Sequence, residues 1–178
     1  MVSPRERSFI DQTVGYHASG GDLNALVNVS YNPDTSGVLI SDAPTSRFGT
    51  TRLHEAARYG WCSAIDWLIQ HGADVHLEAS QGMTLLHAAV LYGHSDAAVL
   101  LLDAGARVDD HDWNCRTALH YAAIFPPKMC KLLLSRGASL DAARNSGGPD
   151  PEDIARTRGH TKTADLLAVV RAAGGWLP

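Results

Sequence analysis

The chain has 178 residues, of which 45% are hydrophobic and 19% charged, and its formal net charge is −4. That balance suits one domain with a real core and excludes wholesale disorder. It also argues against generic nucleic-acid binding, which calls for a basic stripe: Arg144, Arg156, Arg158, Lys162 and Arg171 are interleaved with Asp150, Glu152, Asp153 and Asp165.

The opening segment, residues 1–46, shows the least pattern. Phe9 to Ala18 predicts a helix, and Gly21 to Val27 predicts the start of a second. Asn32 to Gly37 and Ser41 to Ser46 are rich in Pro, Asp, Ser and Gly and read as an inserted loop.

From residue 47 onward the chain becomes periodic. Thr51-Arg52-Leu53-His54 recurs as Thr84-Leu85-Leu86-His87 and Thr117-Ala118-Leu119-His120, at intervals of 87 − 54 = 33 and 120 − 87 = 33. A small residue follows each His at Ala56, Ala89 and Ala122, and a leucine-rich stretch comes next: Leu68-Ile69, Leu101-Leu102 and Leu133-Leu134. Gly60 and Gly93 stand six residues after the repeat His, where a left-handed residue ends the first helix, and Gly72, Gly105 and Gly137 end the second. The third copy carries Pro126-Pro127 in place of the inter-helix Gly and is one residue shorter. A fourth, weaker copy places Asp153 where the His falls, since 153 − 120 = 33, and Ala155 at the small position.

A 33-residue period with this motif resembles the ankyrin repeat, a β-turn and two helices per copy. The resemblance implies an all-α solenoid of helix-turn-helix pairs joined by β-hairpin fingers. The copies span 47–80, 81–110 and 111–144. A capping copy covers 145–173, a tail covers 174–178, and 1–46 would hold a degenerate N-terminal cap with its inserted loop. Asp74 to Leu77, Arg107 to Asp110 and the Gly147-Gly148 region read as fingers. The family's usual Pro after the repeat Thr is replaced by Arg52, Leu85 and Ala118, which predicts blunter helix starts. Cys115 stands where the family favours Gly.

Catalytic and cofactor signatures are absent from the pattern. His54, His87 and His120 fall where the family uses the ring to hydrogen-bond within and between neighbouring turns, so their role reads as structural rather than metal-ligating. No cysteine pair has zinc spacing, His76-Leu77-Glu78 lacks the Pro-Cys-x-x-Cys of a deaminase, and Gly159 to Thr163 lacks phosphate-loop spacing. The expectation is a non-enzyme with no cofactor and no metal. The competing class is a metal- or cofactor-binding enzyme centred on the N-terminal segment, with His17, Asp22 and Asp42 converging on the stack. Three cysteines, Cys62, Cys115 and Cys130, indicate thiols in a reducing compartment. No apolar run approaches the roughly 20 residues of a membrane span, and Met1 to Glu6 opens no apolar leader. A monomer in cytosol or nucleus is the expectation.

Partner binding has a better signal. Tyr59, Tyr92 and Phe125 are spaced by 33, with Arg158 continuing the column and Arg58, Leu91 and Ile124 beside it. By resemblance these positions end the first helices on the concave side, where aromatics serve as binding anchors. They equally serve to shield the inter-helix turn. Trp113 sits at a finger tip as a second anchor, or folds back over the neighbouring finger near Cys115. Glu78, Asp110, His111 and Asp112 make the finger rim acidic. Together these predict a protein partner offering a segment with basic and apolar residues, bound by an inhibitor or a scaffold, and neither nucleic acid nor membrane.

Overall fold

The computed structural model describes residues 2–18, 29–30, 39–40, 50–145 and 147–175. Its frame is a stack of helix pairs: α2 (Arg52–Tyr59) with α3 (Cys62–Gln70), α4 (Leu85–Leu91) with α5 (Ser95–Asp103), α6 (Ala118–Ala122) with α7 (Pro127–Ser135), and α9 (Pro151–Thr157) with α10 (Thr161–Ala172). First helices pack on first helices, α2 on α4 and α4 on α6, and second helices α3 and α5 pack on each other. This is the expected helical solenoid, in which burial arises mainly between neighbouring copies.

The core follows the repeat columns. Ala56, Ala89 and Ala122 are buried where first helices approach, and Leu68, Leu101 and Leu133 fill the space beneath. Each such leucine gains roughly 1.5–3 kcal/mol from burial.

Helix starts are sharp despite the missing prolines. Thr51, Thr84 and Thr117 each form a capping box with the His three residues on, and the helices begin at Arg52, Leu85 and Ala118. The expectation of blunt starts fails because the box itself satisfies the orphan backbone donors. Arg52, in the usual proline position, is fully buried, its guanidinium carbon 5.8 Å from the Phe9 ring centroid.

At the N-terminal end, α1 (Pro4–Ala18) starts five residues before the predicted helix. It packs on α3. Glu6 is buried, and its carboxylate accepts from the Ser63 and Ala64 N–H groups at 3.0 and 3.4 Å, supplying the cap that Trp61 cannot give to α3. The early start thus has a tertiary cause, a charge at a helix N-terminus. β1 (Val29–Ser30) pairs antiparallel with β2 (Leu39–Ile40), bracketing Asn32 to Gly37. That stretch, the predicted helix at Gly21 to Val27 and the loop at Ser41 to Ser46 lie outside the described residues.

The fingers differ from the expectation in place and kind. Asp74 to Leu77 and Arg107 to Asp110 are turns and extended connections, not strands. The ladder begins one step later, as β3 (Glu78–Ala79) against β4 (Met83–Thr84), and its counterpart is reduced to a single bridge between His111 and Thr117. Ahead of Gly147-Gly148, read as a finger and found as a turn and bend, the chain forms α8 (Leu140–Asn145). Ser139 Oγ accepts from the Ala142 N–H at 3.1 Å, and Leu140 and Ala143 turn inward to buried positions, so a helical turn wins over a hairpin.

In the last pair, Asp150 replaces the repeat Thr and accepts from the Glu152 N–H at 2.9 Å. Arg171 of α10 reaches back to Asp150 at 2.7 Å and to Glu152 of α9 at 2.8 Å. Charged pairs therefore hold α9 and α10 together where the earlier copies use a Thr–His box.

Candidate protein-binding site

Because α2 and α4 run side by side, their i, i+3, i+4 faces share a surface. Glu55, Arg58 and Tyr59 occupy one face of α2, and Ala88, Leu91 and Tyr92 the same face of α4. With the finger residues Ala79, Ser80, Gln81 and Met83, most of these line a groove of about 360 Å³; Tyr59 stands just outside it.

His54 lines the groove. His54 N–H donates to Thr51 Oγ1 at 3.3 Å, while His54 Nδ1 accepts from the Thr51 N–H at 3.3 Å and lies 2.8 Å from Thr51 Oγ1. With Nδ1 accepting, Nε2 carries the proton and donates to the Met83 carbonyl at 3.2 Å, tying α2 to the next finger. Burial pushes His54 and His87 down to about 4, so both rings are neutral at pH 7, and His120 moves in the same direction for the same reason. The boxes recur at His87 and His120, whose Nδ1 atoms accept from the Thr84 and Thr117 N–H groups at 3.2 and 2.9 Å. Their Nε2 atoms meet no partner in full hydrogen-bond geometry among the described residues, although the Asp110 and Pro149 backbones oppose part of the effect of burial. The structural reading of these rings therefore holds in full within each turn, and between turns for His54.

At the mouth stand two tyrosines. Tyr59 is 38% exposed and stacks on Trp61 with centroids 4.8 Å apart; Tyr92 is 48% exposed. The Arg58 guanidinium carbon lies 5.7 Å from the Tyr59 centroid and 5.2 Å from that of Tyr92, bridging the two rings. Phe9 meets the far side of this row at Trp61, centroids 5.0 Å apart. Trp61 is half-buried and packs against the core. His94 seats its ring on Gly60, and its Nε2–H donates to the Arg58 carbonyl at 3.0 Å. A Cβ at residue 60 would fall 2.5 Å from that ring, and Gly60 is left-handed with φ +65°, so only Gly suits the turn.

Trp113 folds back over the neighbouring finger. Its N–H donates to the Gln81 carbonyl at 2.8 Å, and its ring edge lies over Gly82, where a Cβ would approach Cδ1 to 2.8 Å. The ring nevertheless remains 76% exposed. Gln81 and Gly82, at φ +67° and +70°, make the left-handed turn that positions this contact, and Cys115 repeats it without glycine at φ +57°.

The remaining predicted residues do not join the groove. Phe125 lies across Gly93, with its ring 3.3 Å from a Cβ built there, and its carbonyl accepts from Thr163 Oγ1 at 2.8 Å. It shields the inter-helix turn. Ile124 is half-buried one residue earlier, and Arg158 is exposed at the end of α9, two helix pairs away from Tyr92's. Asp112 was expected on the acidic rim but is buried. It accepts from Tyr121 Oη at 2.6 Å and from the Asn114 and Arg116 N–H groups at 2.8 and 2.9 Å. Burial alone would raise this carboxyl; those hydrogen bonds hold it below the ordinary range. Glu78 and His111 are exposed and Asp110 is half-buried.

Glu55 and Ala88 on the helices, and Ala79, Ser80, Gln81 and Met83 on the finger, escaped the sequence reading. Helical spacing from Arg58 and Tyr59 points back to Glu55, whereas nothing in the period marks the finger residues. Among the described residues no three His, Cys, Asp or Glu side chains gather to hold a metal ion, and no helix is long and apolar enough to cross a membrane. Of the residues put forward for the competing enzyme reading, Asp22 and Asp42 lie outside the described residues.

None of the curated proteins matches the chain significantly. A family model described as ankyrin repeats, in three copies, matches residues 16–112 and 53–143, and so begins within α1, upstream of the strongly periodic region. These matches cover more than half of the sequence, and with the stacked helix pairs they show that the chain belongs to the ankyrin-repeat family.

Proposed function

We propose that this chain binds a protein partner, without catalysis, through the groove between α2, α4 and the β3–β4 finger. Ankyrin repeats are generally protein–protein interaction modules, and the observation that favours this surface is the placement of Tyr59, Tyr92 and Trp113. Tyr92 lines the groove, Arg58 bridges it to Tyr59 just outside, and Trp113 lies over Gly82 of the finger whose Gln81 and Met83 line it; all three aromatics are exposed. Large aromatics and arginine dominate interface energies because they bury much area with little entropy to lose. Arg58, Tyr59, Leu91, Tyr92 and Trp113 form this site. Ile124, Phe125 and Arg158 belong to a second stretch of the same face, reached only by a longer partner.

The chain acts as an inhibitor or scaffold, by covering or tethering its partner, in cytosol or nucleus and as a monomer. The copies at 47–80, 81–110 and 111–144, with caps at 1–46 and 145–173, supply the stack that holds the groove.

Affinity purification with mass spectrometry, comparing the wild-type chain with Tyr92→Ala, tests the site. Tyr92 is half exposed, so its truncation spares the core. Loss of about 2 kcal/mol would weaken a partner roughly 30-fold. Equal capture by both proteins would remove the groove from the account.

A further inference from the structure

We infer that Glu55 is the specificity-determining residue of this groove, the acceptor for a lysine or arginine side chain that the partner presents between apolar neighbours. The inference rests on the groove being the binding site.

Glu55 is 7% exposed yet lines the groove. It forms no salt bridge among the described residues. The nearest cation, Arg58, is one turn away and lies over the faces of Tyr59 and Tyr92. Desolvation raises the Glu55 carboxyl above its ordinary range, outweighing the opposing pull of Arg58 and of a Thr50 hydrogen bond. A desolvated carboxylate with so little compensation is costly unless a cation reaches it.

The fold does not call for that cost. At intervals of 33 the equivalent positions are Ala88, Tyr121 and Ile154, none of them charged. A small, an aromatic and a branched residue all serve there, so the carboxyl is dispensable to the stack. Its surroundings also suit a basic side chain specifically. Met83, Ala88 and Leu91 give the aliphatic stem of Lys or Arg an apolar wall, while the charged head meets the carboxylate below. An acidic segment would bring like charge onto Glu55.

A 12-residue random peptide library, selected on the full chain and counter-screened on Tyr92→Ala, supplies the probe. The best Tyr92-dependent peptide is synthesised with its Lys or Arg and with norleucine in that place. Each version is titrated into wild type and Glu55→Gln, with circular dichroism showing both proteins equally folded. A charge-assisted hydrogen bond predicts a loss of about 10- to 100-fold for Glu55→Gln. Norleucine should cost as much, and the two changes together little more than either. Tyr92-dependent peptides without a basic residue, or binding indifferent to Glu55→Gln, would overturn the role of Glu55 while leaving the groove intact. If no selected peptide depends on Tyr92, the groove reading fails and Glu55 falls with it.

Discussion

Acid should loosen this stack well above the range in which carboxylates titrate, and the repeat histidines are the reason. His54 and His87 are held down to about 4 by burial, against 6.5 in the unfolded chain. A ring that binds protons less readily when folded contributes stability that is complete above 6.5 and is lost as pH falls toward 4. Between pH 7.5 and 5.5 the difference in protonation free energy is about 1.3 kcal/mol per ring, or about 2.5 kcal/mol for the two. His120 shifts in the same direction and adds to it. Glu55 and Asp109 are raised by burial and act oppositely, stabilising the fold as they protonate, so stopping at pH 5.5 limits their share. Urea titrations followed by circular dichroism at the two pH values measure the sum. With a slope of about 1–3 kcal/mol per molar, the midpoint should drop by roughly 1–2 M at the lower pH. A midpoint that is flat or rises would refute neutral buried rings, and with them the tautomer that ties His54 to the Met83 carbonyl.

Two further substitutions probe the frame. Leu101→Ala removes a fully buried side chain between second helices and should cost roughly 2–5 kcal/mol in a denaturant titration; an unchanged curve would break the register of the repeats. Glu6→Ala strips the carboxylate from the Ser63 and Ala64 N–H groups and should cost about 1–3 kcal/mol in the same assay. No loss there would mean that α1 does not cap α3 in solution.

Legibility in the sequence tracked the period. The Thr–Leu–His boxes, the small residues of first helices and the leucines of second helices recur at 33, and each landed in the element expected of it. What broke the period was hidden. α8 arises because Leu140 and Ala143 find a buried surface against α6 and α9, a tertiary gain that repeat register does not show. Glu6 works across 57 positions in sequence, so no local pattern joins it to Ser63. At the site, the 33-residue column and its neighbours brought Arg58, Leu91 and Tyr92 to one groove. Phe125, of the same column, lies outside that groove, because Pro126 closes the third turn differently and Phe125 lies over Gly93. Asp112 looked like a surface charge, but three donors from its own finger and from Tyr121 draw it inside.

The central claim, that partners seat between α2, α4 and the β3–β4 finger, is tested most directly by hydrogen–deuterium exchange of the chain with and without a captured partner. The account predicts added protection over residues 55–59, 79–84 and 88–92, with little change across α5 and α7. Protection confined to α5 and α7, with the groove segments exchanging as before, would contradict it.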